Sequence, residues 1–212
     1  DQVESKVSGA RLFFMQSNGG LTRAHTFRGK DAVLSGPAGG VVGMASIARS
    51  ANIERVIGFD MGGTSTDVSH FNGVFERTFD SVIAGVRIRA PMMDIHTVAA
   101  GGGSLCTFDG LRFKVGPESA GAQPGPVAYR QGGPLTITDC NIFLGRIQPH
   151  HFPSVFGRTG DQPLDKEAVT KLLVSMSGSV KSGISHAMKP EEIAEGFRSI
   201  AIENMAGAIK TI

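Results

Sequence analysis

Val56-Ile57-Gly58-Phe59-Asp60-Met61-Gly62-Gly63-Thr64-Ser65-Thr66-Asp67-Val68-Ser69-His70-Phe71 is the stretch whose reading decides the fold. It runs as an apolar strand, an acid, a turn of glycines and hydroxyls, a second acid and a second apolar strand. A chain that leaves a strand through Asp-x-Gly-Gly suits an anion held by backbone N–H groups, because no Cβ blocks the approach. Thr64, Ser65 and Thr66 add hydroxyl donors. Asp60 and Asp67 flank the turn and suit a hydrated Mg²⁺, which takes few carboxylates and keeps most of its waters. The plainer alternative is a Gly-Gly hairpin turn with polar decoration. A Rossmann site is a weak third reading, since Gly62-Gly63 lacks the G-x-G-x-x-G spacing and leads into a strand where that fold needs a helix.

Upstream, Arg11 to Gln16 reads as a buried strand closed by Asn18-Gly19-Gly20. Leu34-Ser35-Gly36-Pro37-Ala38-Gly39-Gly40 leads into a helix through Arg49, with Ser35 or Gly36 as cap and Pro37 in the first turn. Its glycines form a face for close packing against a neighbour, or for aiming the N-terminus at an anion. Downstream, Asn72-Gly73 marks a hairpin. Val74 to Phe79 then completes a three-stranded meander, and Val82 to Ile88 extends the strand-rich region.

Asp94 and His96 alternate with apolar residues, so a strand places both on one face. A carboxylate there can orient the imidazole as a proton carrier or form a metal pair; a solvent-facing pair is equally compatible. Gly101-Gly102-Gly103 reads as a flexible or ligand-approaching loop. Ser104 lacks the surroundings of a nucleophile elbow. Leu105 to Val115 forms a hairpin turning at Asp109-Gly110, and Gly116 to Gly133 is a long loop stiffened by prolines. Thr138 or Asp139 caps a short helix, and His150-His151 sit on a surface loop. Leu164 to Met176 has helical spacing. Pro190, Glu191 and Glu192 open an amphipathic helix with Ile193, Phe197, Ile200, Ala201, Asn204, Ala208 and Ile212 on one face, Asn204 as a satisfied core amide.

The 212 residues suit one large domain or two small ones, and 41% hydrophobic content supports a sizeable core. Glycine, at 29 residues, is about twice its usual frequency. It falls in short groups without a repeat, which indicates tight turns and close backbone approaches. The net charge of +2 is dispersed, with one Tyr and no Trp, which excludes a nucleic-acid footprint. No apolar run reaches the roughly 20 residues that span a bilayer. Cys106 and Cys140 lack metal spacing and read as free thiols of a reducing, cytoplasmic protein. The start at Asp1 without Met, and the stop at Ile212 inside an apolar pattern, suggest a piece of a longer polypeptide.

Five blocks together carry a resemblance: LSGPAGGVVG (34–43), IGFDMGGTSTDVS (57–69), DIHTVAAGGGS (94–104), VGPESAGAQPGP (115–126) and GPLTITDCN (133–141). The chain resembles the hydantoinase A / 5-oxoprolinase family, which also holds the acetone carboxylase β subunit. The resemblance runs from about Phe14 to Ile212, with Cys140 where Ala is expected. It implies an α/β actin-like ATPase (ribonuclease H-like) lobe, a mixed sheet with packed helices. It implies that residues 1–212 are a domain fragment, mainly the second lobe, with the first phosphate loop and the adenosine loop outside the chain. The motif around Gly62 matches the second phosphate-binding loop, and 34–48 takes the place of the first connecting helix.

The implied activity is ATP- and Mg²⁺-dependent opening of a cyclic amide such as 5-oxoproline or a hydantoin, beside a hydantoinase B-like domain or subunit. Gly62, Gly63, Thr64, Ser65 and Thr66 then contact phosphate. Asp60 and Asp67 handle the metal or orient a nucleophile, and Asp94 and His96 are substrate-side residues. The competing expectations are a non-catalytic nucleotide-binding module that regulates a partner, and an acetone carboxylase-type subunit.

Overall fold

The computed structural model describes residues 3–7, 9–83 and 85–212. Asp1, and Ala84 within the expected 82–88 stretch, lie outside the described residues. The chain divides into two compact units. One holds 1–60, 67–96 and 212, the other 61–66 and 97–211. No helix among the described residues is long and apolar enough to cross a membrane.

The first unit opens with a hairpin of β1 (Phe13–Met15) and β2 (Leu21–Arg23), paired antiparallel. The expected buried strand is instead largely exposed: Phe13 and Phe14 face outward, and Phe14 stacks on Phe27 with centroids 5.2 Å apart. A strand with one neighbour buries little, and the ring stack covers the apolar surface locally. The short α1 (Gly29–Ala32) precedes α2 (Ser35–Ser50). Leu34, not Ser35 or Gly36, occupies the N-cap, without a side-chain cap bond. The buried stripe of α2 is Ala38, Val41, Ala45 and Ala48, at helical spacing. Its glycines are open instead of tightly packed: a Cβ on Gly36 or Gly43 would meet nothing within 4 Å.

β3 (Val56–Met61) and β4 (Thr66–Phe71) are neighbours in a sheet whose order is β3-β4-β9, with β9 at His96–Val98. The expected meander stops short. After Gly73, at φ +97°, only an isolated Phe71–Phe75 bridge forms. β5 (Arg77–Thr78) turns away to pair with β8 (Met92–Met93). Met92 and Met93 are buried, and Met93 joins Ala38 and Val41 in this unit's core. Arg49 over the rings of Phe71 and Phe75, at 5.0 and 5.4 Å, closes the turn against α2. β6 (Ser81–Ile83) and β7 (Val86–Ile88) form a separate hairpin, held at its base by the Asp80–Arg87 ion pair.

The second unit contains the larger core. β10 (Ser104–Phe108) and β11 (Phe113–Ser119) form the expected hairpin. Asp109 Oδ1 accepts from the N–H groups of Leu111 and Arg112, and Gly110 takes φ +100°. Against it pack α3 (Ile137–Phe143), α4 (Lys166–Ile184) and α5 (Pro190–Ile209). Phe197 is fully buried and meets Phe113 edge-on at 5.1 Å. Pro190 opens α5 as expected, and Glu192 accepts from the Lys189 N–H at 2.7 Å. Asn204 is exposed; Met205 takes the buried position beside it, because the buried stripe steps by four residues from Ile193 through Phe197 and Ala201 to Met205.

α3 is capped by Thr136, not by Thr138 or Asp139. Asp139 stands at N3 of a capping box. Its buried carboxylate accepts from Thr136 N and Oγ1 and also from Val127 and Ala128 N, which ties the 116–133 loop to the helix. Burial pushes the Asp139 carboxyl up, opposed by these hydrogen bonds. Cys106 and Cys140 are free thiols in the same core. Contact with Cys140, together with burial, raises the Cys106 pKa.

Candidate functional site

The Gly62–Thr66 turn belongs to the second unit, and its geometry is set from one side. Gly62 N–H closes on the Ser65 carbonyl at 2.9 Å. The carbonyl of Gly62 accepts from Gly102 N–H at 3.0 Å, and that of Gly63 from Gly103 N–H at 2.6 Å. In a trans peptide the C=O and the N–H point in opposite directions. With both carbonyls drawn to Gly102 and Gly103, the N–H groups of Gly63 and Thr64 point away, in the same sense. Neither N–H has an acceptor among the described residues, and both residues are exposed. Two successive outward amides form a concavity of the kind that can hold an anion. Thr64 Oγ1 lies at its rim, 3.5 Å from the Ser119 hydroxyl.

The triple glycine is therefore a backing shelf, ordered by contact and not a flexible loop. A Cβ on Gly101 would lie 2.7 Å from the Gly62 carbonyl oxygen, and one on Gly103 2.8 Å from that of Gly63. Any side chain at either position pushes the turn off its support. Ser104 is buried and its Oγ accepts from Gly101 N–H at 2.9 Å, so it is part of the shelf. Thr66 differs from its expected phosphate role: it is fully buried and its hydroxyl donates to the Ala100 carbonyl at 2.6 Å. It anchors the end of the turn. Ser65 is half-buried.

In the first unit, Asp60 and Asp67 line one cavity of about 350 Å³, together with Gly40, Val41 and Met44 of α2, Ile57 and Phe59 of β3, and Ile95. A Cβ on Gly40 would lie 3.9 Å from Asp60 Oδ2, so the open glycine face of α2 looks onto this carboxylate. Two carboxylates with room for water suit a cation that keeps most of its hydration shell. No group of three or more His, Cys, Asp or Glu among the described residues is placed to hold a metal ion.

Asp94 and His96 do not form the expected pair. The strand breaks between β8 and β9, so Asp94 is exposed and His96 half-buried, with no hydrogen bond joining them among the described residues. Neither lines the cavity with Asp60 and Asp67. The carboxylate–imidazole pair of this unit is Glu76 with His70, Oε1 to Nδ1 at 2.8 Å. Sequence reasoning missed the roles of Gly101, Gly103 and Ser119. The glycine run was visible, but its partner lies some forty residues away.

The model of the hydantoinase/oxoprolinase family matches residues 1–212. The chain belongs to that family. Within it, 5-oxoprolinase 1 of Arabidopsis thaliana is 50% identical over 218 residues, covering all of this chain and 17% of the relative. The crystal structure of an ATP-dependent caprolactamase from Pseudomonas jessenii matches with a TM-score of 0.74 and 31% identity, over 97% of this chain and 29% of that one. Nucleotide-free acetone carboxylase matches with a TM-score of 0.79 and 24% identity, over 96% of this chain and 28% of that one. The family member described here therefore has the hydantoinase-type, actin-like ATPase fold, with mixed α/β content. It spans about a sixth of the length of the 5-oxoprolinases it matches.

Proposed function

We propose that this hydantoinase/oxoprolinase chain is the part of an ATP-dependent cyclic-amide hydrolase that grips the terminal phosphates, the second lobe of the nucleotide clamp. The observation that carries the reading is the pair of outward amides at Gly63 and Thr64, held by the glycine shelf. Donors fixed before the reaction stabilise charge developing on a transferred phosphoryl group without reorganising. The γ-phosphoryl group passes to the amide oxygen and ADP leaves. Water then attacks the activated carbon, the ring C–N bond breaks, and phosphate departs. Asp60 and Asp67 would hold Mg²⁺ through water, and the chemistry it would supply is positive charge. Thr64 and Ser65 hydroxyls contribute at the rim, Thr66 as the anchor. The substrate is a small cyclic amide such as 5-oxoproline or a hydantoin, and a hydantoinase B-like domain or subunit is the partner.

The test uses the full-length polypeptide. ATP hydrolysis is expected only alongside ring opening of a cyclic amide, and Asp60→Asn is expected to lower turnover by about 10²-fold with unchanged folding. No turnover across a panel of lactams and hydantoins, or an unaffected Asp60→Asn enzyme, would contradict the reading. One alternative is an ATP-using carboxylase subunit, since the acetophenone carboxylase gamma subunit of Aromatoleum aromaticum is 33% identical over 99% of this chain. Bicarbonate-dependent ATP turnover with a ketone in place of a cyclic amide would select it.

A further inference from the structure

Each of the two outward amides, Gly63 and Thr64, is the end of a chain of peptide hydrogen bonds. One chain starts at Thr138. Both its N–H, at 2.8 Å, and its hydroxyl, at 2.9 Å, donate to the Gly102 carbonyl. That carbonyl belongs to the same peptide as the Gly103 N–H, which donates to the Gly63 carbonyl at 2.6 Å. The Gly63 carbonyl in turn shares its peptide with the outward N–H of Thr64. The second chain is parallel: Ser104 N–H donates to Gly101 O at 3.2 Å, and Gly102 N–H to Gly62 O at 3.0 Å, which ends on the N–H of Gly63. The chains differ at their origin, since only the first begins on a carbonyl holding two donors.

We propose that Thr138 is a positioning residue for phosphate binding: its hydroxyl latches and polarises the peptide chain that presents the Thr64 N–H to the nucleotide. The inference rests on the nucleotide reading above. Hydrogen bonds in series strengthen one another, and a second donor on the Gly102 carbonyl makes the Gly103 N–H a stronger donor and fixes its direction. A Cβ on Gly102 would lie 2.9 Å from Thr138 Oγ1, so the latch also requires glycine there. The hydroxyl touches no ligand itself, and its N–H bond to Gly102 persists when the hydroxyl is removed.

The experiment compares ATP and adenosine affinity in the full-length protein by calorimetry, for wild type, Thr138→Val and Thr138→Ser. Thr138→Val keeps the shape and loses the hydroxyl. It is expected to weaken ATP binding by about threefold, because the bond to Gly102 exists with and without ligand and only its cooperative share reaches the Thr64 N–H, and to leave adenosine binding unchanged. Thr138→Ser is expected to bind ATP within about twofold of wild type. Unchanged ATP affinity in Thr138→Val, an equal loss for adenosine, or a Ser variant as weak as the Val variant would each overturn the inference. Should Thr138→Val fail to fold, Thr138→Ala is read by the same criteria. A wild-type protein that binds ATP no better than adenosine overturns the nucleotide reading itself, and this inference with it.

Discussion

Gly101 has the sharpest requirement of any residue in the shelf. Alanine there places a methyl group 2.7 Å from the Gly62 carbonyl oxygen, against backbone that has no rotamer to retreat into. Gly101→Ala is expected to cost about 1–3 kcal/mol of stability through overpacking. ATP turnover in the full-length protein should fall more steeply, because the outward amides lose their aim. Thermal denaturation and steady-state turnover, measured together, separate the two effects; a variant that loses stability alone would argue against the shelf's role. At this scale the sequence was partly legible. The acids and glycines of 60–67 were readable because glycine, hydroxyl and carboxylate each have a short list of uses. Thr66 was misread since its neighbours in sequence are rim residues, while its hydroxyl is taken by Ala100, 34 residues on. Asp94 and His96 were paired by period-2 spacing, and a break of two residues between β8 and β9 removed that spacing.

Among the elements, the β10–β11 hairpin and α3 carry the shelf, and each has a carboxylate that can be tested. Asp139 satisfies four donors at the joint between α3 and the 116–133 loop. Asp139→Ala leaves the Thr136 and Ala128 N–H groups without this acceptor, while the Val127 N–H keeps the Pro134 carbonyl at 3.2 Å, and is expected to cost about 3 kcal/mol in urea denaturation. A loss below 1 kcal/mol would show that water replaces the carboxylate. Asp109 caps the hairpin turn. The Lys114 ammonium beside it, with the Arg112 and Leu111 N–H groups, holds its carboxyl well below the usual value of 3.8. A carboxyl depressed on folding contributes stability above the unfolded-state pKa, lost as pH falls through the folded one. Wild type is therefore expected to lose stability from about pH 4 downward more steeply than Asp109→Asn, and matching slopes in acid titrations would remove Asp109 as a contributor. The hairpin and α5 were legible because Asp-Gly and Pro-Glu-Glu are local signals. The pairing of β5 with β8 was not, because two-residue strands carry no periodicity and their partners are set by the burial of Met92 and Met93.

At the scale of the whole molecule, the family and the α/β class were readable from five motif blocks, but the division into two units was not. The chain passes between them around residues 60, 66 and 96, within continuous strands that give no linker signal. One feature of the first unit governs how the chain behaves in a tube. β3 is an edge strand among the described residues, and Ile57, Phe59 and Met61 are 52%, 47% and 40% exposed along it. An oily row beside unpaired backbone is adhesive. The isolated chain is expected to self-associate as its concentration rises in sedimentation velocity runs, and Phe59→Lys to shift it toward monomer; a single sedimenting species at every concentration would contradict this. Crystallisation and binding work on this chain thus calls for dilute samples or a shielded strand, since lumping together would compete with any ligand under study.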